Sequence, residues 1–87
     1  MAQFATNQEF FQFIRETVLR LRTWGHSMAA SRLSDGFRLM NGLTDGWADF
    51  LEVVQKVQAE FAQALPPEER EALERIRTAA YRAVYRR

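Results

Sequence analysis

The one histidine of this chain stands beside a serine at a predicted helix junction. A serine hydroxyl becomes a nucleophile when a histidine within hydrogen-bond reach takes its proton and a third group orients the ring. His26 and Ser27 are adjacent, but neighbouring residues on a turn seldom face each other, and no orienting group or oxyanion donor is identifiable. We therefore predict a protein that is not an enzyme, in which His26 contacts carbonyl groups at the end of the preceding helix.

Three carboxylates fall within two predicted helical turns. Asp45, Asp49 and Glu52 are spaced by four and three residues, which places them near one another on a helix face. A hard-metal site needs oxygen ligands converging from several elements, and no second carboxylate cluster is evident. The chain also has no cysteine, which excludes thiolate ligands and disulfides and fits a reducing cytoplasm. We predict no metal and no cofactor, and we interpret these carboxylates as helix-cap and surface charges.

The C-terminal segment is rich in arginine. Residues 75–87 carry five arginines and no acid, whereas residues 43–74 carry eight acidic and two basic residues. Arginines interleaved with tyrosines grip phosphates and stack on bases in single-stranded nucleic-acid binders. Such a site would use the following residues: Arg75, Arg77, Tyr81, Arg82, Tyr85, Arg86 and Arg87. Because cations also complement a helix C-terminus and the net charge is only +1, nucleic-acid binding is the alternative hypothesis here.

Aromatic residues are more numerous than a small core requires. The chain has seven Phe, two Trp and two Tyr in 87 residues. They either pack internally or line a partner surface, since aromatic side chains are enriched in buried interface centres. The anchor candidates are Phe10, Phe13 and Trp24, with the acidic residues Asp49, Glu52 and Glu71 setting orientation and partner choice. Protein–protein interaction, with another protein or as a homodimer, is therefore the first hypothesis.

The third predicted helix organises the chain that must position these residues. Its apolar residues recur at the spacing of one helix face, at Trp47, Phe50, Val54, Val57, Phe61 and Leu65. Thr44 is its expected N-cap, and the helix is expected to end at Ala64 or Leu65. Full burial of this stripe would make its aromatic residues the centre of the core.

The first two helices follow from capping signals. Thr6 begins a capping-box spacing, so the first helix is predicted from about Asn7 to Trp24, after a loose arm at residues 1–6. Gly25 is expected to end it. Ser27 is then the expected cap of a second helix that reaches about Met40, with fraying or a kink near Gly36.

The fourth helix is predicted from Pro67 to about Tyr85, because Pro67 suits a first helical turn and the residue before it is pushed out of helix. Its expected inner face is Leu73, Ile76, Ala80, Ala83 and Val84. Residues 1–87 are therefore predicted to form one all-α domain, a compact, antiparallel, four-helix bundle-like structure with short connections. No basic leader or long apolar run is present, so we expect a cytoplasmic protein without membrane contact.

The order of these helix-boundary signals resembles that of small all-helical bacterial proteins of unknown function. The resemblance is carried by the break at Gly25, by segments 29–35 and 42–46, and by segment 65–69. Some compact helical proteins of this appearance are immunity-type or regulatory binding proteins. The resemblance thus implies a binding role and assigns no site residue.

Overall fold

The computed structural model describes residues 4–40 and 44–85, which form helices and no strand. The helices are α1 (Asn7–Thr23), α2 (Ser27–Arg38), α3 (Thr44–Phe61) and α4 (Pro67–Tyr85). Each helix packs against its neighbours in the sequence, and α1 packs against α4 to close the ring. The predicted fold class, an all-α four-helix bundle-like domain, is confirmed.

Contacts between helix ends establish the antiparallel order. Phe11, near the start of α1, lies 5.6 Å from Phe37, near the end of α2, between ring centroids. Arg20, near the end of α1, contacts Glu69, in the first turn of α4. Helix α1 is therefore antiparallel to both neighbours, and the short connections on either side of α3 complete an up-down-up-down bundle.

The start of α1 follows the predicted capping pattern. The backbone N–H of Glu9 donates to Oγ1 of Thr6 at 3.1 Å, so the side chain of Thr6 caps the helix. Phe4, which the sequence placed in a loose arm at residues 1–6, is instead half-buried, with its ring 5.2 Å from that of Phe10. The packed N-terminal segment thus begins before the cap, and residues 1–3 lie outside the described part.

Gly25 ends α1, as predicted. The last helical residue is Thr23, one residue earlier than expected. Gly25 has φ of +87°, a conformation that costs glycine little because it has no Cβ. The backbone N–H of His26 donates to the carbonyl of Leu21 at 2.7 Å, and that of Gly25 to Arg22 at 3.2 Å. This pair of bonds is a Schellman motif, which satisfies the last carbonyls and defines where the chain leaves the helix.

The predicted cap of α2 is wrong. His26 occupies the N-cap position without a side-chain cap hydrogen bond, and Ser27 is already the first helical residue. His26 does contact the end of α1, but through its backbone N–H. Helix α2 ends at Arg38 rather than at Met40. The backbone N–H of Met40 donates to the carbonyl of Phe37, in the last turn of that helix.

Helix α2 continues through Gly36 and ends two residues later, at Arg38. Gly36 is buried against Val53 of α3, and a Cβ atom added to it would lie 2.6 Å from Cγ1 of that valine. The glycine that weakens helix propensity is thus the residue that lets α2 and α3 approach closely.

The core is built around α3, as its apolar stripe predicted. Phe50, Val54 and Val57 have no exposed surface, while Trp47 and Phe61 are partly buried against the same core. The helix ends at Phe61, so the buried Leu65 belongs to the connection. The predicted stop at residues 41–42 lies outside the described part. Thr44, the expected N-cap, is instead the first residue of α3, and its side chain and that of Asp45 lie outside the described part.

The bounds predicted for α4 are confirmed. Leu73, Ile76 and Ala80 are buried, whereas Ala83 and Val84 are only half-buried. No helix in the described part of the chain combines the length and the apolar character needed to cross a lipid bilayer.

Candidate functional site

Phe10, predicted as a partner anchor, is a core residue. It is 3% exposed, and its ring stacks on Trp47 with centroids 5.5 Å apart. The ring also meets Phe50 edge-on, with centroids 6.5 Å apart. Because α3 supplies both neighbours, Phe10 cannot reach a partner without opening the core.

Phe13, the second predicted anchor, is half-buried and covered by the chain itself. The guanidinium carbon of Arg75 lies 4.7 Å from its ring centroid, and the ring of Phe4 lies 5.2 Å away. These contacts fasten α1 to α4 and to the N-terminal segment. The aromatic surplus is therefore used mainly inside the molecule.

Trp24 is the predicted anchor that remains on the surface. It is 72% exposed and follows directly after α1. Two large apolar residues near the same helix junction are also exposed, Leu19 at 64% and Met28 at 61%. The indole of Trp24 therefore presents a large apolar surface to water.

A cleft of about 400 Å³ opens beside the indole of Trp24. It lies between the C-terminal end of α1 and the N-terminal end of α4. Its lining residues are Arg20, Trp24, Pro66, Glu68 and Glu69. Of these, the sequence predicted only Trp24 as a site residue.

An ion pair forms one wall of this cleft. Nε of Arg20 donates to Oε2 of Glu69 at 3.2 Å, and Nη2 donates to Oε1 at 3.3 Å. The Glu69 side chain is only 8% exposed, so the two-pronged pair compensates a nearly buried charge. Glu68 is exposed and makes no ion pair with the described side chains. The lining therefore carries one uncompensated negative charge.

The predicted acidic residues do not gather around Trp24. Asp49, Glu52 and Glu71 are all exposed. In the antiparallel bundle, however, Asp49 and Glu52 lie in the first half of α3, toward the opposite end from Trp24. Glu71 lies toward the same end as Trp24, one turn after Glu68. Periodicity placed these residues correctly on outer faces, but helix direction separates them.

The structure divides the predicted arginine and tyrosine site. Arg77 is bound to Glu74, with Nε at 2.9 Å from Oε1 and Nη2 at 2.6 Å from Oε2. These bonds lower the pKa of Glu74 from 4.5 to about 2, and a hydrogen bond from Gln58 acts in the same direction. Pairing with Glu74 also raises the pKa of Arg77. The charge of Arg77 is thus largely compensated.

The other described members of that site differ in their surroundings. Arg75 covers the ring of Phe13 on the α1 side. Tyr81 and Tyr85 are exposed with ring centroids 4.6 Å apart, and Arg82 is exposed on α4. The predicted residues Arg86 and Arg87 lie outside the described part.

The residues considered for catalysis and metal binding remain apart. In residues 4–40 and 44–85, no group of three or more histidine, aspartate and glutamate residues is placed to hold a metal ion. His26 is half-buried at the α1–α2 junction, and Ser27 is exposed beside it. Neither side chain hydrogen-bonds the other in the structure as described.

Comparisons with protein-family models, with curated proteins and with solved structures found no match to this chain.

Proposed function

We propose that this protein is a small, non-catalytic protein–protein interaction module that uses Trp24 as its anchor. The observation that carries the proposal is the 72% exposure of this tryptophan beside a cleft. Tryptophan dominates binding energy at protein interfaces because a large, rigid side chain is desolvated in one contact. The absence of cysteine supports a reducing compartment, and we place the module in the cytoplasm.

The chain on either side of the anchor is held in place before binding, which supports this role. The Schellman motif at Gly25 defines the path of the chain on one side of Trp24. The ion pair between Arg20 and Glu69 ties the end of α1 to α4 on the other side. Because less conformational freedom is lost on association, a preorganised anchor gains affinity.

The partner is either a different protein or a second copy of this chain. Self-association would cover Trp24, Leu19 and Met28 with an equivalent surface. Sedimentation at increasing protein concentration distinguishes the two cases. A mass equal to one chain at every concentration would exclude the homodimer and leave the hetero-complex.

The direct test is capture of a partner from a nuclease-treated lysate of the source organism with the tagged chain as bait. We expect one stoichiometric protein with the wild type and with Tyr85→Ala, and its loss with Trp24→Ala. Tyr85 is the matched control because it is also an exposed aromatic residue, at 64%, but lies at the end of α4.

Two results would contradict the proposal. Equal capture by Trp24→Ala would remove the assigned role of the anchor. No captured protein, together with a one-chain mass, would remove the interaction module itself.

Nucleic-acid binding has less support than this proposal. Arg77 is paired with Glu74, and Arg75 is stacked on Phe13, so these cations are not presented together to a phosphate backbone. A protein that neutralises several phosphates loses affinity steeply as salt rises. An oligonucleotide shift at low salt that disappears at physiological salt would revive this alternative.

A further inference from the structure

The cleft beside Trp24 combines an aromatic surface with a free negative charge. Pro66 and Trp24 supply apolar walls, and Glu68 supplies an exposed carboxylate. The buried Glu69 is already bound to Arg20, so Glu68 is the lining group whose charge is left uncompensated. This is the combination that binds a cation over a ring, where the ring face and a carboxylate both attract positive charge.

We infer that the cleft receives an arginine or lysine side chain from the partner, which lies on the indole of Trp24 and pairs with Glu68. The inference rests on the proposed function, because the cation belongs to a partner protein. It adds the chemistry of the contact: a basic segment rather than a purely apolar one.

The charges of the cleft lining exclude an acidic partner group. The N-terminal end of α4 would attract an anion, but Glu68 and Glu69 already occupy its first turn. The cation of Arg20 is held by two bonds to Glu69. An acidic partner group would therefore meet the Glu68 carboxylate and find no free cation in the lining.

The molecule uses the same contact internally. Arg15 lies 5.4 Å from the ring centroid of Phe37, and Arg32 lies 5.8 Å from that of Phe61. Arg75 covers Phe13 in the same way. Trp24 is more exposed than any of these rings, yet in residues 4–40 and 44–85 no arginine or lysine lies over it. A cation from outside would complete a contact that this fold already makes elsewhere.

The test is a two-dimensional ¹H–¹⁵N NMR titration of the full chain with N-acetyl-arginine amide and N-acetyl-lysine amide. N-acetyl-norleucine amide, which has a similar aliphatic stem and no charge, is the control probe at matched ionic strength. Because a single exposed cation–π contact is weak, each probe is added to about 50 mM and the initial slope of the shift is compared. The expected result is movement of the Trp24 indole N–H and the Glu68 amide with both cationic probes only.

Substitution of the carboxylate identifies the charge that is used. Glu68→Gln should reduce the slope of the Trp24 indole shift by about two- to threefold, the effect of one exposed ion pair. Glu16→Gln is the control because Glu16 is an exposed carboxylate on α1 that does not line the cleft, and it should leave the slope unchanged. Equal slopes for arginine and norleucine, no shift with any probe, or no effect of Glu68→Gln would each overturn the inference.

These outcomes separate the inference from the proposed function. If capture of a partner depends on Trp24 but arginine causes no NMR shift, the interaction module is retained and the cation site is rejected. If arginine causes the NMR shift but no protein is captured, the cation site is retained and the interaction module is rejected.

Discussion

At the scale of single residues, Gly36 controls how closely two helices pack. Its Cα faces Val53, and an added Cβ would lie 2.6 Å from Cγ1 and 2.8 Å from Cβ of that side chain. Val53 is β-branched and stiff at χ1, so it cannot swing away. The contact therefore depends on the absence of a side chain at position 36.

We expect Gly36→Ala to lower the free energy of unfolding by about 1 kcal/mol, because overpacking outweighs the gain of about 1 kcal/mol in helix propensity. Urea denaturation monitored by circular dichroism measures the change. In a Val53→Ala background the same substitution should cost less, since the overlap with Cγ1 is removed and only the one with Cβ, at 2.8 Å, remains. Greater stability of Gly36→Ala in the wild-type background would show that the overlap is absent.

Glu74 is the residue through which pH should act on stability. Its folded-state pKa is depressed to about 2, chiefly by hydrogen bonds from Arg77, so its contribution is fully present above the ordinary pKa of 4.5. That contribution is lost as pH falls from about 5 toward 2, because the carboxylate becomes protonated. The carboxylate is 54% exposed, so we expect a small effect.

Unfolding of wild type and Glu74→Gln at a series of pH values tests this expectation. The wild type should be more stable near pH 7, and the two curves should converge as the pH approaches 2. Glu71→Gln is the control, because Glu71 is exposed and has no ion pair with the described residues. A difference between wild type and Glu74→Gln that grows on acidification would have the wrong sign.

At the scale of helices, α3 holds the bundle together through an apolar stripe whose residues are buried to different extents. Phe50 is fully buried, whereas Phe61 is half-buried under Arg32, which also pairs with Glu60. The sequence pattern placed both rings on the same stripe and predicted no difference in their burial. Their difference follows from position, because Phe61 is the last residue of the helix.

We expect Phe50→Ala to cost about 3–5 kcal/mol of stability, the usual loss for a buried ring that leaves a cavity. Phe61→Ala should cost less than half as much, because solvent already reaches that ring and can fill the space. Thermal or urea unfolding of both variants checks the order. Equal losses would mean that the two rings are buried to the same depth in solution.

At the scale of the whole molecule, the aromatic residues that build the core are separate from the exposed Trp24. Phe10 and Phe50 meet in the centre, and Phe13 helps to close the ring between α1 and α4. Trp24 contributes to neither contact and is 72% exposed. We therefore expect the proposed anchor at Trp24 to be separable from the core.

Trp24→Ala should change the free energy of unfolding by less than about 0.5 kcal/mol, as for other surface substitutions. Differential scanning calorimetry of the isolated chain measures this. Phe10→Ala is the control and should be strongly destabilising because Phe10 is a core residue. A large loss of stability in Trp24→Ala would assign this tryptophan to folding and weaken its role as an anchor.

The sequence by itself determined the features that depend on local chemistry. Thr6 caps a helix through a backbone N–H three residues away, Gly25 ends one through its left-handed conformation, and Pro67 starts another. Each signal acts within a turn or two of the chain, so the all-α class and most helix starts were predictable. The ends were less so, because α2 ends before Met40 and α3 ends at Phe61 rather than at Ala64 or Leu65. The incorrect cap prediction at Ser27 shows that sequence signals place a helix start only to within about one residue.

Only the tertiary structure decided which of the predicted anchors is buried. Phe10 and Phe13 lie on an apolar arc of α1 wider than one interface, and Trp24 follows directly after that helix. The packing of the other helices against α1 decides which of the three faces the core. The cleft depends on Arg20 and Glu69, which are 49 residues apart. No local spacing encodes that distance, because two helix ends meet only when the whole bundle has closed.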